Sequence, residues 1–264
     1  MITFSRFGQK GGLGNQLFQF ASLVGIAKRR NFDWSLPVEL DSGKKVELLE
    51  LFSVPDIWEQ ALPASQLKFP KFNSRPNRFL DTTGVRYDQK LHNQIPDNHD
   101  IDAYLQSEKY FHDCSEYLRG QLTIRSERKV NLPQFNQNYI ALHIRRQDYI
   151  KARHTHRVLP VSYYKAALKK LPDLPILIFS DDHNWVRSEK FFLSESMSLM
   201  EGDLFSDFQG IMGSKYAVIA NSSFSWWAAW LSRAEKVLAP NRWFGWSYPR
   251  AAGKDLIPDR WIVI

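Results

Sequence analysis

The chain has one cysteine, Cys114, in 264 residues. No internal disulfide can form, and zinc sites built on several thiolates are excluded. A reducing compartment suits such a chain. Long apolar runs are missing too: no stretch approaches the roughly 20 residues of a membrane span. The opening Met1-Ile2-Thr3-Phe4-Ser5-Arg6-Phe7-Gly8 lacks the apolar core of a secretion signal, so a cytoplasmic chain is the expectation. There is no internal repeat, no low-complexity segment and no Gly-x-Ser-x-Gly elbow. Acidic residues are in the minority, 28 against 35 Lys and Arg, which leaves a net charge of +7. A nucleotide, a nucleic acid or an acidic membrane surface would suit that balance. The basic residues are scattered, and no RRM-like or helix-turn-helix signature accompanies them, so nucleic acid is not the expected partner.

Aromatics are plentiful instead: 9 Trp, 10 Tyr and 18 Phe. They fill a core or form a sugar-stacking surface, and composition does not separate the two. The length allows one large domain or two small ones.

Residues 2–7 read as a short strand and residues 8–15 as a glycine-rich loop. A helix follows with Leu17, Phe20, Ala21, Val24 and Ala27 on an amphipathic stripe, closed by Lys28, Arg29 and Arg30 and capped by Asn31. Residues 36–136 are irregular, with helical pieces such as 101–119. After them come apolar runs at 139–144, 175–179, 216–220 and 236–239, with helical patterns at 161–171 and 223–232 between. Alternation of this kind predicts an α/β fold with a mostly parallel sheet. A linker at 131–138 sets the expected boundary near residue 136.

Four segments have the makings of chemistry. In the loop Gly11-Gly12-Leu13-Gly14-Asn15, amides at a helix N-terminus bind phosphate, unless the glycines only allow a tight turn. The loop is neither a P-loop nor a good dinucleotide fingerprint, since Leu17 stands where the third glycine belongs. In His143-x-Arg145-Arg146-x-Asp148, a strand runs into two guanidinium forks suited to phosphate oxygens. The alternative is a surface charge cluster with Asp148 neutralising an arginine. Asp181 and Asp182 follow the 175–179 run; they grip a ligand or a metal, or cap a helix. Ser222 and Ser223 open the aromatic helix, placing hydroxyls and amides for phosphate or for capping, while Trp226, Trp227 and Trp230 read as core.

Asp100-Ile101-Asp102 follows no apolar strand, and His154-Thr155-His156 has no acidic neighbour in sequence, so neither is expected to hold a metal. Cys114 has no activating context.

Gly11-Gly12-Leu13-Gly14-Asn15-Gln16-Leu17-Phe18-Gln19-Phe20-Ala21 strongly resembles the opening motif of the α-1,2-fucosyltransferases, glycosyltransferase family 11. His143 to Tyr149 is similar to that family's His-x-Arg-Arg-x-Asp motif. Phe179-Ser180-Asp181-Asp182 and the stretch from Asn221 to Leu231 resemble its two downstream motifs in the same order. Gln106 to Phe111, Tyr163-Tyr164 and Pro258-x-x-Trp261 are smaller likenesses.

The resemblance implies an α/β, GT-B-like fold with two Rossmann-type domains facing a cleft. Residues 1–136 would form an N-terminal domain carrying the glycine loop and the acceptor side, and 137–264 the GDP-fucose-binding domain. It implies inverting transfer of fucose from GDP-fucose to the 2-hydroxyl of a galactose-terminated oligosaccharide acceptor, with no metal and no other cofactor. The alternatives are another GDP-sugar-dependent glycosyltransferase or a basic nucleic-acid-binding protein. By position, Arg145 would meet the β-phosphate with Arg146 in support. Ser222, Ser223 and Phe224 would line the phosphates, and His143 and Asp182 would face the guanosine. Asn15, beside Gly12, Leu13 and Gly14, would approach the diphosphate or fucose. Arg145, Asp148 and Asn15 are the catalytic candidates; Asp148 takes the acceptor proton or braces Arg146, with the brace favoured. Peripheral contact with an acidic inner-membrane face is a further expectation. No acceptor code is legible in 36–136 or in the basic 151–157 loop.

Overall fold

The computed structural model describes residues 1–9, 11–38, 46–71, 86–130 and 138–264. The expected boundary, the linker residues 131–137 and Lys10 of the glycine loop lie outside them. Contacts divide the chain into two compact units, Met1–Arg128 with Lys254–Leu256, and Lys129–Gly253 with Ile257–Ile264.

The first unit is built around one helix. Strands β1 (Ile2–Thr3), β2 (Trp34–Ser35), β3 (Phe52–Ser53), β4 (His99–Asp100) and β5 (Thr123–Ile124) are two residues long. They form a parallel sheet in the order β2-β1-β4 and an antiparallel pair, β3-β5. The strand expected over 2–7 stops at Thr3 because the Asp100 carboxylate takes Ser5, through its N–H at 2.8 Å and its hydroxyl at 2.6 Å.

Helix α1 (Leu13–Arg30) is buried on every side from Leu13 to Ala27 apart from Asn15. The expected amphipathic stripe understates it. Its polar face is covered because Gln16 Oε1 accepts from Leu48 N–H at 2.9 Å and Ser22 Oγ donates to Leu105 O at 3.2 Å. Asn31 closes the helix in the left-handed conformation at φ 53, as expected of a C-cap asparagine. A Cβ at Gly25 would lie 2.1 Å from Tyr110 O, so this helix and that segment approach at backbone distance.

Helices α2 (Glu47–Leu51), α3 (Pro55–Glu59), α4 (Gln89–Gln94) and α5 (Ser115–Gln121) complete the unit. The helical expectation for 101–119 is only partly met. Residues 101–107 run without regular structure, short 3-10 turns occupy Glu108–Tyr110 and His112–Cys114, and α5 follows. Tyr110 and Phe111 are buried against α1, a packing one continuous helix would break.

The second unit carries strands β6 (Ile140–Ile144), β7 (Ile176–Ser180), β8 (Met197–Leu199), β9 (Tyr216–Val218), β10 (Lys236–Ala239) and β11 (Ile262–Val263). All are parallel, in the order β11-β10-β9-β6-β7-β8. The chain starts at the middle, winds outward to one edge, then returns and winds to the other, which is the order of a doubly wound Rossmann sheet. β6 and β7 are buried along their whole length, as parallel strands covered on both faces must be.

Helices α6 (Gln147–Lys151), α7 (Val161–Leu168), α8 (His183–Ser188), α9 (Leu204–Met212) and α10 (Ser223–Leu231) connect these strands. The 161–171 pattern ends as helix at Leu168, and the 216–220 run ends as strand at Val218. Trp226, Trp227 and Trp230 are core, each 1% exposed or less. Truncating any one of them to Ala would cost about 3–5 kcal/mol. Among the described residues, no helix is long and apolar enough to cross a membrane.

Candidate active site

In a doubly wound sheet, ligands bind outside the carboxyl ends of the strands, where the winding reverses. Here that point lies between β6 and β9, which are hydrogen-bonded neighbours. β6 leads into Arg145 and Arg146; β9 leads into Asn221, Ser222 and α10; β7, on the other side of β6, leads into Asp181 and Asp182. The fold therefore gathers His143, Arg145, Arg146, Asp148, Asp182, Ser222, Ser223 and Phe224 at one edge of one unit. Gly12, Leu13, Gly14 and Asn15 belong to the other unit.

The two arginines have different tasks. Arg146 Nε pairs with Asp182 Oδ2 at 3.3 Å, and its guanidinium lies 3.8 Å over the Trp185 ring. It is locked into the protein. Arg145 donates Nε and Nη2 to the two Asp148 oxygens, both at 2.9 Å, and Nε also meets Asp181 Oδ2 at 3.2 Å. Those bonds use one side of the guanidinium and leave its Nη1 edge to address an anion. Burial opposes the Arg145 charge, but Asp148 and Asp181 overcome it and hold its pKa above the ordinary value.

Asp148 therefore braces Arg145, not Arg146 as the sequence suggested. α6 begins at Gln147, which places Asp148 in its first turn, one turn beyond Arg145. Two residues along, as with Arg146, the side chains do not face each other.

The carboxylates at the β7 tip also have work inside the protein. Asp182 is the N-cap of α8, its Oδ1 accepting from Trp185 N–H at 3.1 Å, so both its oxygens are engaged. Capping α8 and holding Arg146 stand beside the guanosine-facing role expected of it, since each carboxylate oxygen keeps a further acceptor site. Asp181 accepts the N–H groups of Arg146 at 2.8 Å and Gln147 at 3.2 Å, capping α6 from the neighbouring strand. Burial raises its pKa, against the lowering pull of Arg145.

His143 is 5% exposed, its ring 5.6 Å from that of Phe224. Its buried Nδ1 has no hydrogen-bond partner among the described residues. Burial first, then the Arg145 charge, pushes its pKa down to about 3, so the ring stays neutral. Asn221 Oδ1 is likewise buried without a partner, while its Nδ2 donates to Arg157 O at 2.9 Å and Trp243 O at 2.7 Å. Tyr149 Oη donates to Asn221 O at 2.8 Å and ties α6 to the turn after β9.

α10 starts at the N-cap Ser222 with no side chain capping its first amides and no acid in its first turn. By contrast α4, α8 and α9 are each capped by an aspartate. Free helix amides of this kind, after the strand next to the one that leads into Arg145, can receive a phosphate.

The glycine loop is differently placed. Leu13 N–H, the first amide of α1, donates to Glu47 Oε2 at 2.6 Å, so a carboxylate of the protein already sits at this N-terminus. Glu47 was not singled out in the sequence because no local pattern joins it to a loop 34 positions away. Asn15 Oδ1 accepts from Gln106 Nε2 at 2.7 Å, which links the loop to the small 106–111 motif. A Cβ on Gly11, at φ +75, would collide with the Asn15 side chain. Gly11 makes room for the Asn15 side chain.

Asp100 is spent on Ser5, and Asp102 pairs with Arg6 at 3.4 Å and Lys71 at 3.3 Å. Among the described residues, no three His, Cys, Asp or Glu side chains gather as a metal site. Burial pushes the Cys114 thiol up to about 11, the reverse of an activated nucleophile.

Comparison with known proteins agrees with this architecture. The α-1,2-colitosyltransferase of Escherichia coli is 28% identical, over 96% of each chain. The O-antigen biosynthesis glycosyltransferase WbnK of the same species is 34% identical, covering 89% of this chain and 93% of its own. Among solved structures, the fucosyltransferase NodZ from Bradyrhizobium superposes with a TM-score of 0.55 at 16% identity, covering 88% of this chain and 93% of its own. NodZ α-1,6-fucosyltransferase co-crystallized with GDP gives 0.56 at 15% identity, with coverage of 88% and 92%. The fold is thus the GT-B-like α/β fold of fucosyltransferases. The family description "Glycosyl transferase family 11" matches residues 8–246; with a relative at 34% identity, this chain belongs to glycosyltransferase family 11.

Proposed function

We propose that this glycosyltransferase moves fucose from GDP-fucose, with inversion, to the 2-hydroxyl of a galactose-type sugar. The observation that carries the proposal is the pairing of two cationic features on adjacent strands at the switch point. These are the free edge of Arg145 and the uncapped N-terminus of α10. As the sugar leaves, negative charge builds on the GDP diphosphate, and fixed donors aimed there stabilise it without rearrangement. Arg145 supplies one such fork, and the amides of Ser223 and Phe224 with the neighbouring hydroxyls supply the rest. His143, neutral and with Nδ1 free to bond, faces the nucleoside. Arg146 and Asp182 stand behind them as structure. Asp148 acts through Arg145 as a positioning residue. An oxocarbenium-like transition state makes a modest demand on any base that accepts the acceptor proton.

A second reading of the donor has its own support. The relative at 28% identity across 96% of both chains is named for colitosyl transfer with the same α-1,2 linkage. A single assay separates the two. Purified protein with lactose and EDTA is given GDP-fucose, then the colitosyl donor. The fucosyl proposal expects GDP release and a 2-linked fucosyl product at the higher rate. Preference for the colitosyl donor would transfer the proposal to that sugar, and no release with either would end it.

A further inference from the structure

The second unit carries a second basic feature that fucosyl transfer leaves unused. Residues 152–158, after α6, and 240–250, after β10, are clamped together. His156 and Phe244 form an antiparallel bridge. Gly245 N–H donates to Thr155 O at 2.8 Å, and Ser247 N–H to His154 O at 2.9 Å. A Cβ at Gly245 would lie 2.4 Å from His154 O, so glycine is what permits the approach. The two Asn221 bonds, to Arg157 O and Trp243 O, fix the clamp to the turn after β9.

Two adjoining cavities open here, of about 430 and 330 Å³, and Arg157 and Arg242 line both. Arg153 adds its charge to the first and Arg250 to the second. Trp246 lines the first and is 73% exposed. Among the described residues, none of these four arginines forms an ion pair with a carboxylate. Elsewhere in this unit Arg145, Arg146 and Arg187 each have one. Three guanidinium groups around each hollow repel one another, and a multiply charged anion relieves that repulsion through charge-assisted forks. An exposed indole beside them offers a flat face to a sugar ring.

We propose that these cavities bind a phosphate or diphosphate carried by the acceptor, with Trp246 against the adjoining sugar. Only the assignment to the acceptor rests on the transferase reading; the anion site itself does not. The probe is inorganic pyrophosphate, titrated by calorimetry into protein saturated with GDP. Wild type is expected to bind it, and Arg157→Gln/Arg242→Gln to bind at least about tenfold more weakly, with GDP affinity unchanged. Arg153→Gln/Arg250→Gln, at two exposed positions, serves as the second variant and is expected to weaken binding too. Competition between GDP and pyrophosphate would assign the cavities to the donor, and equal binding by all variants would remove the arginines; either overturns the proposal.

Acceptor kinetics then identify the source. Lactose is compared with the same disaccharide bearing a methyl phosphate and with one bearing a lipid diphosphate. KM is expected to drop for both charged forms in wild type and for neither in the variants. A drop for the lipid form alone that persists in the variants would mean membrane partition and overturn the acceptor assignment. Pyrophosphate binding with no transfer to any acceptor would sink the transferase reading while leaving the anion site standing.

Discussion

Asp148 holds Arg145 by both oxygens, at 2.9 Å each, and the pair is only one helical turn long. A flexible arginine at a strand tip thereby becomes an aimed fork. The same geometry commits one acceptor site on each Asp148 oxygen to the guanidinium.

Replacing Asp148 with Asn should loosen the fork while leaving the chemistry in place. The expected loss in kcat/KM for the donor is about tenfold, an effect of misplacement, with the pH profile unchanged. A loss of 10³ or more together with disappearance of the acidic limb would be the signature of a general base, and would contradict the brace.

Glu47 is expected to act on stability. Its carboxylate satisfies the first amide of α1, in the place of an N-cap side chain, and such a cap is worth about 1 kcal/mol. Glu47→Ala should therefore lower the urea midpoint by a corresponding amount with GDP affinity unaltered. Tighter GDP binding in that variant would show that phosphate competes with Glu47 for the Leu13 amide.

His143 gives a pH prediction. With its pKa held at about 3, its ring signals should not titrate between pH 5 and 8 by NMR. The unfolded chain takes up that proton near pH 6.5 and the folded chain refuses it. Stability is therefore lost as pH falls from about 6.5 toward 3 and is fully present above that window. His92, pushed down to about 4 mainly by burial, adds to the same slope. An apparent pKa near 6.5 for His143 would mean the ring is not buried as described.

Much of the second unit was legible in the sequence. Continuous apolar runs mark β6, β7 and β10 because both faces of a parallel sheet are covered, and the aromatic run 223–231 marks a core helix. β8, with only three residues and an exposed Ser198 between half-buried neighbours, leaves little pattern to read. Most of what sequence reading missed depends on distant partners. Ser5 turns away from its strand because Asp100 is there, and Leu13 meets Glu47. Asp148 chooses Arg145 over Arg146 once α6 begins at Gln147. The candidate residues were visible as residue types; their division of labour was set by register and helix starts.

Arg145, just beyond the tip of β6, is proposed to meet the diphosphate of the donor. The direct test is the rate of GDP release from GDP-fucose, with lactose and EDTA present, in wild type and Arg145→Ala of matched thermal stability. A loss of about 10²-fold or more is expected, the scale for removing a donor that stabilises developing charge. Near-normal release by the variant would contradict it.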